Sequence, residues 1–331
     1  MAIVTRRQIL QHLGKGIGAT CMMAARPTSL SAQEQQLLTL GTAGKGGVFY
    51  PLGSGLAAVI SKYAKGMAVD ALVTSGAAEN MALLQAGEIP LALAQADVCW
   101  AAAQGQLDGL PEKIQVRALL GTTSGYMHLV TLEGLGIDTV ADLKGKRVST
   151  GLIGSGTEIK ALRVLEAYGV TPGNLGMHVH QEYPEAAQAL KEGKLDAFAW
   201  DATLPGKSVM DLAMTPGIRI RLLATGDAVP HLVAKYGPFY FSASIPKTTY
   251  PGMHEDVSVV AGKTLLVTHQ RMPSSQAYAI TKALLEHRTE LTAIVPATKE
   301  MTPKSVVLGC SVPFHAGALG YYKENNIAVP T

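Results

Sequence analysis

Gly145-Lys-Arg-Val-Ser-Thr-Gly-Leu-Ile-Gly-Ser-Gly-Thr-Glu158 is the stretch whose reading decides the fold. Residues 146–150 read as a short buried strand. Glycines at 151, 154 and 156 break it. From Ser155 the pattern turns helical, with Ile159, Leu162, Val164 and Leu165 recurring at helical spacing as far as Tyr168. A strand therefore feeds a helix through a glycine loop. The start of a helix carries unpaired backbone N–H groups and about half a positive charge. Glycine lets a ligand approach that backbone, and Ser155 and Thr157 add hydroxyls. The arrangement suits an anionic oxygen, most simply a carboxylate. The same pattern occurs upstream, with a strand at 37–42, a glycine loop at 41–47 and a helix from Pro51 through Leu56, Val59 and Ile60. The expectation is that the two loops face each other across a cleft and hold one small acid.

Strand and helix patterns alternate on both sides of these loops. Strands are predicted at 67–74, 89–94, 117–121 and 126–132, with helices at 78–85 and 96–103 between them. The rhythm restarts with the strand at 146–150, followed by a helix at 155–168. Strands at 177–180, 195–200 and 218–223 come next, interleaved with helices at 184–190 and 207–213. Beyond them lie a strand-like run at 257–268, a helix at 274–287 and a last helix at 313–325. Such alternation predicts an α/β fold with mostly parallel sheets covered by helices. The Thr/Gly/Ser-containing stretches near 122–127 and 221–226 read as crossovers. They divide the chain into lobe I (33–124 plus 223–331) and lobe II (125–222), with ligand between the lobes beyond the strand ends.

The chain has 331 residues, 47% hydrophobic and 16% charged, enough for two ordinary domains. Its formal charge of +3 is concentrated at the start. Arg6, Arg7, Lys15 and Arg26 lie in the first 32 residues, which contain no acid. Without those four of the 28 basic residues, 24 stand against 25 acidic ones, a net of −1. Nothing in that balance suggests a nucleic-acid or anionic-membrane binder. Residues 1–32 read as a cleavable signal peptide. Thr5-Arg6-Arg7-Gln8-Ile9-Leu10 resembles the twin-arginine export pattern, a weakly apolar run follows, and Leu30-Ser31-Ala32 suits a small-residue cleavage site. The expected location is the periplasm. Whether Cys99 and Cys310 pair is left open.

Candidate binding residues sit at the strand ends. Gln95 closes the strand at 89–94, Asn80 lies in the first turn after Ser75, and Trp200-Asp201 closes the strand at 195–200. Neither glycine loop completes a Walker A or a dinucleotide fingerprint, so a nucleotide is not expected. His178 and His180 share one strand face, but sequence places no further ligand nearby, and no metal or cofactor is expected. No nucleophile–base pair is visible, which favours binding over catalysis.

The chain resembles the solute receptors of tripartite ATP-independent periplasmic (TRAP) transporters, of the TRAP-associated extracytoplasmic immunogenic (TAXI) type. The likeness spans about residues 38–329. It is carried by Gly41-Thr-Ala-Gly-Lys-Gly-Gly-Val-Phe-Tyr50-Pro-Leu-Gly53, Ser75-Gly-Ala-Ala-Glu-Asn80, Gln95-Ala-Asp97 and Asp142-Leu-Lys-Gly-Lys-Arg-Val148. It continues in Gly154-Ser-Gly-Thr-Glu158, Leu195-Asp-Ala-Phe198, Thr249-Tyr-Pro-Gly252, and Pro313-Phe-His-Ala-Gly-Ala318 with Tyr321-Tyr322. The resemblance implies a two-lobed periplasmic binding protein that is not an enzyme. It would close on a small organic acid or acidic amino acid and deliver it to a fused or paired membrane permease. On that basis Gly46, Gly47, Tyr50, Ser75, Asn80, Gln95, Ser155, Gly156, Thr157 and Asp201 are the expected ligand-binding residues. The chain departs from the family at Val48 and Ala77, where threonine and serine are more usual, and at Trp200-Asp201-Ala-Thr203. The rival readings are a sensory module for a membrane kinase and an enzyme on the same scaffold.

Overall fold

Glycine stops and short loops cut the chain into many elements, and the computed structural model describes residues 35–330. The expected signal peptide, residues 1–32, lies outside the described residues. No helix among the described residues is long and apolar enough to cross a membrane. Cys99 and Cys310 are both free thiols.

The chain opens with β1 (Gln36–Gly41), α1 (Phe49–Tyr63), β2 (Met67–Leu72), α2 (Ala77–Ala86), β3 (Leu91–Gln95) and α3 (Ala96–Gln104). β1 lies between β2 and β3 and is parallel to both. β3, Leu-Ala-Leu-Ala-Gln, is buried at every position, as a strand covered on both faces must be. α2 and α3 each stop on a left-handed glycine, Gly87 (φ 80°) and Gly105 (φ 70°). A residue with a Cβ would be strained there.

β4 (Val116–Leu132) runs for 17 residues. The sequence predicts two strands here, broken at 122–125. The ladder instead passes through the break. Thr122 and Thr123 are β-branched, while Ser124 and Gly125 pair with Lys263 and Gly262 of β10 (Val257–His269). After β4 come β5 (Arg147–Ser149), α4 (Gly156–Ala167), β6 (Met177–Val179), α5 (Tyr183–Lys191), β7 (Ala197–Ala202) and α6 (Lys207–Ala213). β8 (Ile220–Leu222), α7 (Val229–Tyr236) and β9 (Tyr240–Ile245) lead into β10. The chain then finishes with α8 (Ser274–Glu286), α9 (Arg288–Ile294) and α10 (Ala316–Glu324).

The ten strands among the described residues belong to one mixed sheet, ordered β2-β1-β3-β10-β4-β7-β5-β6, with β8 on β4 and β9 on β10. The expected parallel pairing occurs in β1–β3 and in β5–β7. β4 and β10 are antiparallel to each other and join the two sets. The core follows this division. One cluster gathers Leu40, Leu56, Leu93, Leu266 and Tyr322. Two others fill the region after β4, and β7 alternates between them. Phe198, Trp200 and Ala202 face one cluster, and Ala197 and Ala199 the other, the two-residue period of a strand.

The packing moves one expected boundary. The sequence predicts a return crossover at 221–226, yet Leu223, Leu232, Tyr240, Tyr250 and Val260 pack with residues 126–222. Thr225 is tied to the start of β10, accepting from Val260 N at 2.9 Å and donating its own N–H to Ser258 O. β9 pairs with the same half of β10, Ile245 opposite Val257 through Tyr240 opposite Gly262. The chain crosses back only along β10. Gly125 and Gly262 are partners at that crossing.

Candidate ligand-binding cleft

Both predicted glycine loops open on one cleft. Gly47, Ser75, Gln95, Ser155, Gly156, Thr157 and Asp201 surround a void of about 30 Å³, together with Glu182 and Tyr183. That volume suits about one water. Glu182 lies close over the first loop at Gly44 and Gly46. A Cβ at Gly44 would stand 1.7 Å from Glu182 Oε1, and one at Gly46 2.8 Å from Oε2. Burial, with help from Glu185, pushes the Glu182 carboxyl up from its ordinary range. Gly156 has a similar role in the second loop, where a Cβ would stand 1.8 Å from Gln95 Oε1. The Gln95 amide thus occupies the space in front of α4 that was expected to take the ligand's acid.

The start of α4 is largely satisfied by its own chain. Ser155 Oγ accepts from Glu158 N at 3.1 Å, and Gly154 N donates to Glu158 Oε2 at 2.6 Å. The Thr157 hydroxyl accepts from the Tyr183 hydroxyl (2.9 Å) and from Asp201 N (3.1 Å). Behind it Lys160 Nζ donates to Asp201 Oδ2 at 2.6 Å, both side chains being about 1% exposed. Burial raises the Asp201 carboxyl and the Lys160 ammonium opposes that rise. The pair sits at the crossing strands, since a Cβ on Gly125 would meet Asp201 Oδ1 at 2.6 Å and one on Gly262 would meet Lys160 Nζ at 3.3 Å. Sequence reasoning passed over Lys160. Its signal was a charge at the buried helical spacing Gly156, Lys160, Val164.

Two expected ligand residues have other work. Asn80 is fully buried and lines neither cavity. Its amide donates to Thr42 O (2.7 Å) and Leu93 O (2.9 Å) and accepts from the Thr74 hydroxyl. It ties the end of β1 to the middle of β3. The Ser75 hydroxyl and N–H both donate to Glu79 Oε2. Asp97, in the first turn of α3, reaches across the cleft to Arg163 Nη1 (3.0 Å) and the Tyr240 hydroxyl (2.7 Å). Ala78 N donates to Gly154 O across the same gap.

Beside the small void opens a chamber of about 870 Å³ that shares Gly47, Val48 and Trp200 with it. Tyr183 stacks on Trp200, ring centroids 4.7 Å apart, and forms the partition. Gly46, Gly47 and Tyr50 line the chamber, and none of Ser155, Gly156 or Thr157 does. Its walls add Val48, Leu52, Ala187, Leu212 and Val295, and Lys45, Lys191 and Lys207 also border it. Lys207 pairs with Asp211; Lys45 and Lys191 have no ion-pair partner among the described residues. Nothing caps α1 with a side chain, and its first turn holds no acid. Four buried polar atoms around the two cavities lack any partner: Gln95 Oε1, Thr123 Oγ1, Trp200 Nε1 and Asp201 Oδ1. Buried polar groups are rarely left so.

The chain matches the NMT1-like family over residues 40–325. It belongs to that family. Its fold resembles periplasmic solute-binding proteins. The malate-bound MatC of Rhodopseudomonas palustris shares 15% identity at TM-score 0.53, covering 79% of this chain and 88% of that one. A binding protein component of a phosphonate ABC transporter from Pseudomonas aeruginosa shares 10% at TM-score 0.51, covering 80% and 79%. The aliphatic sulphonate binding protein SsuA of Escherichia coli shares 15% at TM-score 0.44, covering 80% and 74%. The neighbours are substrate-binding proteins. At these identities the likeness establishes the fold of this NMT1-like chain.

Proposed function

We propose that this NMT1-like protein is a periplasmic solute receptor that closes on an organic acid and delivers it to a membrane permease of the TRAP, TAXI-related type. The observation that carries the reading is the 870 Å³ chamber at the uncapped start of α1. Its volume lies within the ~300–1,000 Å³ of small-molecule sites. Its apolar walls suit a carbon skeleton, its lysines favour an anion, and Thr123 and Trp200 offer a hydroxyl and an N–H without partners. The same features favour an acid with an apolar body over a short acidic amino acid. The two parts, joined by β4 and β10, are the bodies that would hinge. Asp97–Arg163 and Ala78–Gly154 would be remade at each closure.

The test is a melting-temperature screen of the purified chain against aromatic and medium-chain monocarboxylates, dicarboxylates, keto acids and amino acids. A ligand at a hundredfold excess over Kd adds about 2.7 kcal/mol of stability. Quenching of Trp200 fluorescence, absent in Trp200→Phe, locates the ligand in the chamber. A panel in which no acid raises the melting temperature removes the reading. Turnover of a bound acid would favour the enzyme instead.

A further inference from the structure

We propose that Glu158, His178 and His180 form a binding site for a divalent transition-metal ion of the zinc class, outside the ligand cleft. One potential ligand atom from each residue lies within 4.8 Å of the others, and none of the three lines either cavity. His180 Nδ1 and Glu158 Oε1 are 2.9 Å apart, yet this buried nitrogen makes no hydrogen bond. The two atoms meet outside hydrogen-bonding geometry. Two tetrahedral ligands, each about 2.0–2.2 Å from one zinc ion, stand roughly 3.3–3.5 Å apart. A small side-chain adjustment brings the pair to that spacing. The two imidazoles are already gathered, with ring centroids 4.5 Å apart.

Each of two ligands is also held from behind. Glu158 Oε2 accepts from Gly154 N at 2.6 Å, which leaves Oε1 for the histidines. His178 Nε2 lies 2.7 Å from Thr150 Oγ1. When that nitrogen carries the proton, Nδ1 is left for a metal, the usual way an outer hydrogen bond fixes the tautomer of a ligand histidine. Two imidazoles and one carboxylate suit zinc and its neighbours, whereas calcium and magnesium take oxygen ligands. A water would complete four-coordination. The site also bears on the second glycine loop, because Glu158 holds Gly154 and Gly154 O accepts from Ala78 N.

The full chain, stripped of metal by chelator and dialysed, is titrated with Zn²⁺ and with Co²⁺, with no organic acid present. The expected result is one saturable equivalent, a raised melting temperature, and the visible absorption of a low-coordinate cobalt site. Thr150→Val should weaken affinity about 10–100-fold, as outer-shell losses do, and His180→Ala by more than that. His178 and His180 are partly exposed, and matching circular dichroism of the metal-free variants checks that they fold. In the unaltered chain, proton NMR should show the resonances of these two histidines moving first on zinc addition. The proposal is overturned by no saturable uptake at tenfold excess metal, by unchanged affinity in the His178→Ala/His180→Ala double variant, or by zinc shifting other histidines first. Metal uptake needs no organic acid, so its failure leaves the receptor reading standing, and the reverse also holds.

Discussion

The loops at 41–47 and 151–156 look alike in sequence and end differently in the fold. Each carries a strand into a helix through glycines. The second is closed by its own chain. Ser155 caps α4, Glu158 reaches back to Gly154 N, Gln95 fills the space in front, and the Lys160–Asp201 pair lies behind Thr157. The first has no side-chain cap and no acid in its first turn, and its helix borders the 870 Å³ chamber. A helix start binds an outside anion only where the protein has not already supplied one. What separates the loops is therefore the occupant in front of them, not the backbone pattern.

The largest effect tests that occupancy. Lys160→Met leaves Asp201 buried without its cation and should cost about 3–5 kcal/mol, read by urea denaturation. Lys160→Met with Asp201→Asn should recover more than half of the loss. If the single variant is as stable as the unaltered chain, the second loop is not sealed as described.

A control of nearly equal size touches neither loop. His128 is fully buried, donates Nδ1–H to Tyr126 O and accepts at Nε2 from the Tyr250 hydroxyl. Burial lowers its pKa from 6.5 to about 4. As pH falls, the unfolded chain takes up this proton first. The contribution is thus complete above about pH 6.5 and is lost progressively down to about pH 4, roughly 3 kcal/mol in all. His128→Gln should flatten that part of the stability profile.

Ligand affinity gives the sharpest contrast. Val48→Asp sets a carboxylate at the start of α1 and should weaken acid binding about tenfold, near 1.4 kcal/mol. Thr157→Ala should change it less than about twofold, since the Thr157 hydroxyl already serves Tyr183 and Asp201. Calorimetry with the acid found by screening reads both, and the opposite ranking would return the seat to the second loop. The smallest loss of stability is expected for Ser155→Ala, a lost cap worth about 1 kcal/mol, measurable as a modest fall in melting temperature.

Much of the scaffold was legible because the strand–helix alternation and the glycine loops depend on local rules. Gln95 and Asp201 could be picked out because strand ends point at clefts. Lys160 could not be paired from sequence, since its partner lies 41 positions away on another element. Asn80 carries the residue type of a binding site, but only the neighbouring backbone of Thr42 and Leu93 shows that its amide is already engaged. The Thr-Thr-Ser-Gly stretch of β4 reads as a break because its partner strand, more than 130 residues later, is invisible to local patterning. The third companion of the two strand histidines, Glu158, is hidden for the same reason.

Gly125 and Gly262 stand opposite each other in neighbouring strands, about 5 Å apart by ordinary antiparallel spacing. Everything between them leaves and re-enters at one spot. Residues 126–261 could therefore be handled as a cassette in a deletion experiment. Excised, they leave two stumps that a two-residue turn would join, and a related stretch could be spliced in at the same seam without rethreading the remainder.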